Sequence, residues 1–73
     1  MTIVISGTNG ITDVNGTAAA PAITGTDTDS GMYFGTNTVS LATGGTAAVT
    51  VDSSQNVGIG TSSPAALLDI NGS

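Results

Sequence analysis

Apolar residues in this chain come in short β-branched runs separated by turn-forming residues. The runs are Ile3-Val4-Ile5, Ile11-Thr12-Asp13-Val14, Ala22-Ile23-Thr24, Met32-Tyr33-Phe34, Thr38-Val39-Ser40-Leu41 and Ala47-Ala48-Val49-Thr50-Val51. Gly-Thr dipeptides begin at Gly7, Gly16, Gly25, Gly35, Gly45 and Gly60, the first five spaced nine or ten residues apart. Short strands with turns at this spacing predict an all-β fold. No window of helical length carries an apolar stripe at i, i+3, i+4, and glycine recurs too often to sustain a helix. The recurrence is compatible with a stacked solenoid. The segments between the dipeptides align poorly, however, and Gly-Thr is then simply the turn pair of a chain rich in both residues.

The stretch from Val51 to Ile70 is the most informative. Asp52-Ser53-Ser54-Gln55-Asn56 is a polar turn cluster, and Val57-Gly58-Ile59-Gly60 alternates apolar residues with glycine. Ser62-Ser63-Pro64 breaks the chain, and Leu67-Leu68-Asp69-Ile70 closes it. The pattern predicts strand, turn, short strand, Pro-bearing turn, short strand. A single helical turn over Ala65-Ala66-Leu67-Leu68, after Pro64, is the second choice for the last element. Val57 and Ile59 are placed on one face, and glycine on the other lets a neighbouring backbone approach closely.

This stretch resembles a segment that recurs in phage tail-fibre and other virion appendage proteins, of the form DSSGNVGIGTTSP…KLDV. Here Gln55 stands where glycine is usual, and Ala65-Ala66-Leu67 stands where a lysine or tyrosine often precedes the leucine. Upstream, Gly25 to Phe34 and Asn37 to Gly45 resemble the DTDTGMYFP…NTVSFATGG that precedes it in such fibres. Together the two segments cover about two thirds of the chain. The resemblance implies a structural segment of the virion, and it implies no receptor. In such fibres the counterpart of Leu68-Asp69-Ile70-Asn71-Gly72-Ser73 usually runs on into further sequence, so the resemblance leaves open both a complete protein and the N-terminal piece of a longer fibre.

Composition separately narrows the function. The chain has no Lys, Arg, His, Cys, Glu or Trp, and its net charge is −5. The ionisable side chains are Asp13, Asp27, Asp29, Asp52, Asp69 and Tyr33. General acid–base catalysis at neutral pH needs His, Lys or a strongly shifted carboxyl. A nucleophilic Ser or Thr needs an adjacent base. The aspartates sit in polar turn contexts, so no enzyme is expected, and no cofactor. With no cation to neutralise phosphates, nucleic acid is excluded as a partner, and so is an anionic membrane surface. The apolar runs, Ile3-Val4-Ile5 and Ala65-Ala66-Leu67-Leu68 among them, are far too short to cross a bilayer. Without cysteine there is neither a disulfide framework nor a thiolate metal site. A chain of 73 residues with eleven glycines and no covalent or metal staple has a small core to set against a large ordering entropy. It is therefore expected to fold as an oligomer.

Three motifs invite a chemical reading. Asp27-Thr28-Asp29-Ser30-Gly31 imitates the start of a calcium loop, but the twelfth position is Thr38 where a glutamate is needed. The plainer reading is an Asx turn leading into the next strand. Gly58-x-Gly60 lacks the third glycine and the helix of a dinucleotide loop. Asn15-Gly16-Thr17 and Asn71-Gly72-Ser73 match the N-glycosylation pattern and are not expected to be used in a phage protein. Tyr33 is open to use as a receptor contact. The alternative leaves it half exposed while Met32 and Phe34 pack between chains.

The first residues differ from the rest. Asn9-Gly10 and Asn15-Gly16 are hairpin-type turn pairs, and Ala18-Ala19-Ala20-Pro21 reads as a spacer with Ala20 extended. Residues 1–20 form an N-terminal anchor or strand-exchange segment, and residues 21–73 a β-rich stalk. Ile3, Val4 and Ile5 are the candidate virion anchor, by analogy with resembling fibres; the alternative is the first strand of the oligomer's own sheet.

The resemblance implies a non-catalytic virion protein: a parallel homotrimer of interleaved strands, β-prism- or β-helix-like, connecting the particle to a distal host-binding part. Candidate interface residues are Met32, Phe34, Val39, Leu41, Val49, Val51, Val57, Ile59, Leu67, Leu68 and Ile70. Its partners are copies of itself and tail, baseplate or capsid proteins. Two other readings stay open: a capsid decoration or cement protein, and a carbohydrate-binding appendage module, which would need an acidic pair in a groove.

Overall fold

A computed structural model describes residues 4–71. The chain is all-β, with two antiparallel or mixed sheets and no helix among the described residues. The first sheet is a hairpin of β1 (Val4–Ser6) and β2 (Gly10–Thr12), in register Val4↔Thr12, Ile5↔Ile11 and Ser6↔Gly10. Its turn ends on Asn9-Gly10, with Gly10 at φ +74, and Ser6 Oγ accepts hydrogen bonds from the Thr8 and Asn9 amides.

The second sheet has six strands in sequence order: β3 (Ile23–Thr24), β4 (Gly31–Gly35), β5 (Thr38–Thr43), β6 (Thr46–Val51), β7 (Val57–Ile59) and β8 (Leu68–Ile70). It is a meander of antiparallel neighbours until the last pair, β7 and β8, which run parallel. The β5–β6 turn is Gly44-Gly45, both at positive φ (56 and 82), as a tight two-residue hairpin requires. Ala48 is extruded as a bulge between the pairs Ala42↔Ala47 and Leu41↔Val49. The Gly-Thr dipeptides fall at turns, loops and strand ends, as a turn pair does, and the described residues form no solenoid.

The segment read as a spacer is instead a tight loop. Thr17 N donates to Ala20 O and Ala20 N to Thr17 O, and a bridge between Gly16 and Pro21 closes it. Gly16, at φ +74, supplies the left-handed bend. Just before the loop, Asn15 O accepts the Phe34 amide at 2.8 Å, extending the sheet beyond short β3.

The crossover from β7 to β8 lies on the Gly58 side of the sheet, where a side chain at Gly58 would run into the Thr61 carbonyl and Pro64. The expected close backbone approach at this glycine is present. Across the sheet, a side chain at Gly31 would likewise meet the Ile23 carbonyl and Pro21. These loops cover one face. The core beneath them is small: among the described residues Ala42 is the one buried apolar side chain, with Ser40 and Thr50 buried beside it.

Candidate functional site

Strand alternation and register sort the six-stranded sheet into two unlike faces. On one, Ile23, Met32, Leu41, Val49, Ile59 and Ile70 form a continuous cross-strand row from edge to edge. A second row on the same face joins Phe34, Val39, Val51, Val57 and Leu68. The Ala48 bulge makes this possible, because if Ala48 paired regularly with Leu41 then Val49 and Val51 would turn to the other side. No charged residue interrupts either row. The face is partly open: Val39 is 42% exposed, Leu41 44%, Leu68 58% and Ile70 61%, while Met32, Phe34, Val49, Val51 and Val57 are half-buried.

The opposite face is polar or small and carries the row Tyr33, Ser40, Thr50, Gly58 and Asp69. Ser40 Oγ lies 3.4 Å from Thr50 Oγ1, a long hydrogen bond between two buried hydroxyls. Asp69 Oδ2 accepts the Ala65 amide at 2.9 Å and ties the crossover to β8.

Ten of the eleven candidate interface residues therefore share one face. Leu67 does not: it precedes β8, where its carbonyl accepts the Val57 amide and its side chain is 74% exposed. Ile23 belongs to the face and is absent from the sequence-derived set. Its signal was present in the alternation Ala22-Ile23-Thr24, but a two-residue strand gives the pattern little weight. Of the candidate anchor, Ile3 lies outside the described residues. Val4 and Ile5 lie in β1, and Ile5 pairs with Ile11, the two being 78% and 58% exposed.

The calcium-like motif is an Asx turn. Asp27 Oδ1 accepts the Asp29 amide, Asp27 Oδ2 accepts the Ser30 hydroxyl at 3.0 Å, and Asp27 O accepts the Ser30 amide. The turn also holds the β5–β6 hairpin, through Gly44 N to Ser30 Oγ and Gly45 N to Asp29 O at 2.7 Å. A hydrogen bond between the two carboxyls holds Asp27 below its ordinary value, helped by the Ser30 hydroxyl and the Asp29 amide. The same bond, and then the charge of Asp27, raise Asp29. Among the described residues there is no cluster of three metal-ligating side chains.

The Asp52 turn is built the same way, its Oδ1 accepting the Ser54 and Asn56 amides, both at 2.9 Å. Gln55 within it sits at φ +71, in the left-handed region that favours glycine. That is the position at which the resembling segments carry glycine.

These features make the apolar sheet face the candidate functional surface. Six strands about 4.8 Å apart, carrying two rows about 7 Å apart, give a strip of about 400 Å². The largest apolar patch on an ordinary soluble monomer is about 300–600 Å², and such patches are often functional. No family model, no curated protein and no solved structure matches the chain.

Proposed function

We propose that the chain is a non-catalytic structural protein of a phage virion, a trimeric tail-fibre or appendage segment that connects the particle to a distal host-binding part. The observation that carries this reading is the two-faced sheet. Its own loops cover the polar face and leave much of the apolar face open to solvent. Burying that face against other copies supplies the core that one chain lacks, at about 25 cal/mol for each Å² removed from water. The resemblance of residues 25–45 and 51–70 to fibre segments selects the trimer and the virion. Function is then mechanical. The strands transmit load along the assembly, and the uncharged face gives it cohesion that does not depend on salt.

Light scattering on the purified chain tests the reading. A mass of three chains supports a fibre segment. A folded single chain favours the decoration-protein alternative, in which the capsid shell covers the apolar face. An unfolded single chain means that the sheet forms only on a partner.

A further inference from the structure

The strip of about 400 Å² is roughly half of what one partner contributes to a standard stable interface. A second contact is needed, and the edges of the sheet supply it. In the β7–β8 ladder, Val57 N donates to Leu67 O and Asn71 N donates to Ile59 O. By the alternation of a parallel ladder, Asp69 directs its amide and carbonyl toward β7, while those of Leu68 and Ile70 point outward. No described strand pairs with them. The edge has no lysine, no proline and no bulge, and is guarded only by its shortness and the single charge of Asp69. At the opposite edge, Phe34 N reaches Asn15 O on the β3 side. Met32 therefore bonds Ile23 across that side, and Thr24 directs its backbone groups outward.

We propose that β8 of one chain pairs, in parallel, with β3 of a second copy, joining the sheets head to tail. Three features select this occupant. First, β3 and β8 run in the same direction within a chain, since four antiparallel steps return β7 to the direction of β3 and β8 is parallel to β7. Copies arranged around an axis thus present matched strands. Second, one register satisfies both edges. Thr24 donates to Leu68 O and accepts from Ile70 N, which sets Thr24 opposite Asp69. Both belong to the polar face, so Ile23 and Leu68 stay on the apolar face and the rows continue into the next copy without a flip. Third, charge disfavours the like-with-like alternative. Two β8 edges paired antiparallel through Leu68 and Ile70 place Asp69 directly against its own copy, a repulsion that no cation in the chain can relieve. The β3 edge, Ile23-Thr24, is uncharged. A head-to-tail contact of this kind closes into a ring when its rotation permits, and the number of chains in the ring rests on the trimeric reading above.

The chain has no cysteine, so Thr24→Cys and Asp69→Cys can be introduced together. Parallel partners about 4.8 Å apart lie within disulfide range. Oxidation of the double variant is expected to give covalent multimers up to the light-scattering mass. Neither single variant should cross-link alone, and a mixture of the two should give a covalent pair. Dimers from Asp69→Cys alone overturn the proposal in favour of like-with-like pairing. A trimeric mass with no cross-link in the double variant overturns the edge contact and leaves the fibre reading standing, whereas a single-chain mass overturns both. Ile70→Pro gives an independent measurement, because it deletes an outward amide and spares the β7 ladder. It is expected to lose association that Ile70→Ala retains, and equal association of the two variants overturns the proposal.

Discussion

Ser40 and Thr50 face each other across β5 and β6 with their hydroxyls 3.4 Å apart, and each is only 5% exposed. Their neighbours Val39 and Leu41, one residue away on the same strand, are 42% and 44% exposed. A single chain thus buries its hydroxyls and exposes its branched aliphatics, the reverse of what burial energetics favour. The inversion disappears once the apolar face is covered by other chains.

A charge in the middle of that face should break the assembly. Leu41 lies between Met32 and Val49 in the edge-to-edge row. In an assembled interface Leu41→Asp buries an unpaired carboxylate, at a cost of about 3–5 kcal/mol, or a loss of at least about 100-fold in association. Light scattering should show the mass falling to one chain. Ser54→Asp, in an exposed turn, adds the same charge and should leave the mass unchanged. Equal behaviour of the two variants would remove the apolar face from the interface.

Gln55→Gly should stabilise the protein. A side chain in the left-handed region costs roughly 1–2 kcal/mol, partly offset by the extra unfolded-state freedom of glycine, about 0.5–1 kcal/mol. A net gain of about 0.5–1 kcal/mol in denaturant unfolding is expected. Gln55→Val should lose stability, because a β-branched residue tolerates φ +71 poorly. A neutral Gln55→Gly would mean that the Asp52 hydrogen bonds alone set the turn.

Strands and turns were legible because their signals are local. Val57-Gly58-Ile59 reads as a strand with one bare face, Gly45-Thr46 as a turn pair, and Asp27-x-Asp29 as an Asx turn, and each is formed that way. Long-range relationships were not legible. Nothing in Ala47-Ala48-Val49 marks Ala48 as the extruded residue, because the bulge is set by pairing with Leu41 and Ala42 on another strand. The parallel return of β8 depends on how residues 60–67 cross the sheet, and no local pattern encodes that path. Ala18-Ala19-Ala20-Pro21 misled for the same reason: small residues and a proline describe an extended spacer equally well, and the closure between Gly16 and Pro21 is a tertiary fact. Much of the apolar face was legible in sequence, since alternation within each strand selects its residues, but the side on which Val49 and Val51 fall depends on the bulge.

Gly58→Ala should be severe although it adds one methyl group. The added carbon runs into the Thr61 carbonyl, which is backbone and cannot rotate away. Overpacking of this kind costs about 1–3 kcal/mol, here spent in lifting the crossover that delivers β8. Hydrogen exchange should show lost protection at Asp69 and Asn71, whose amides bond β7, with β4 and β5 unaffected. Unchanged protection at those amides would mean that the crossover shifts without cost.

The Asp27–Asp29 pair should give stability a pH dependence with a definite sign. Asp29 is raised above its usual 3.8, so its contribution is present in full below 3.8 and is lost as pH rises through the folded value. Asp27 is lowered, so its contribution is present above 3.8 and is lost as pH falls through the folded value. Between the two folded values one proton is shared, and the turn is at its best. At neutral pH both carboxylates are charged, and their repulsion loads the turn that holds Gly44 and Gly45. Asp29→Asn removes that repulsion while leaving the Asp29 backbone groups in place. Its Tm relative to the parent should therefore be higher at about pH 7 than at about pH 4, with the largest gain at low salt. Parallel Tm curves for the two proteins across this range would show that the carboxyls do not interact and that the turn is held by its backbone hydrogen bonds alone.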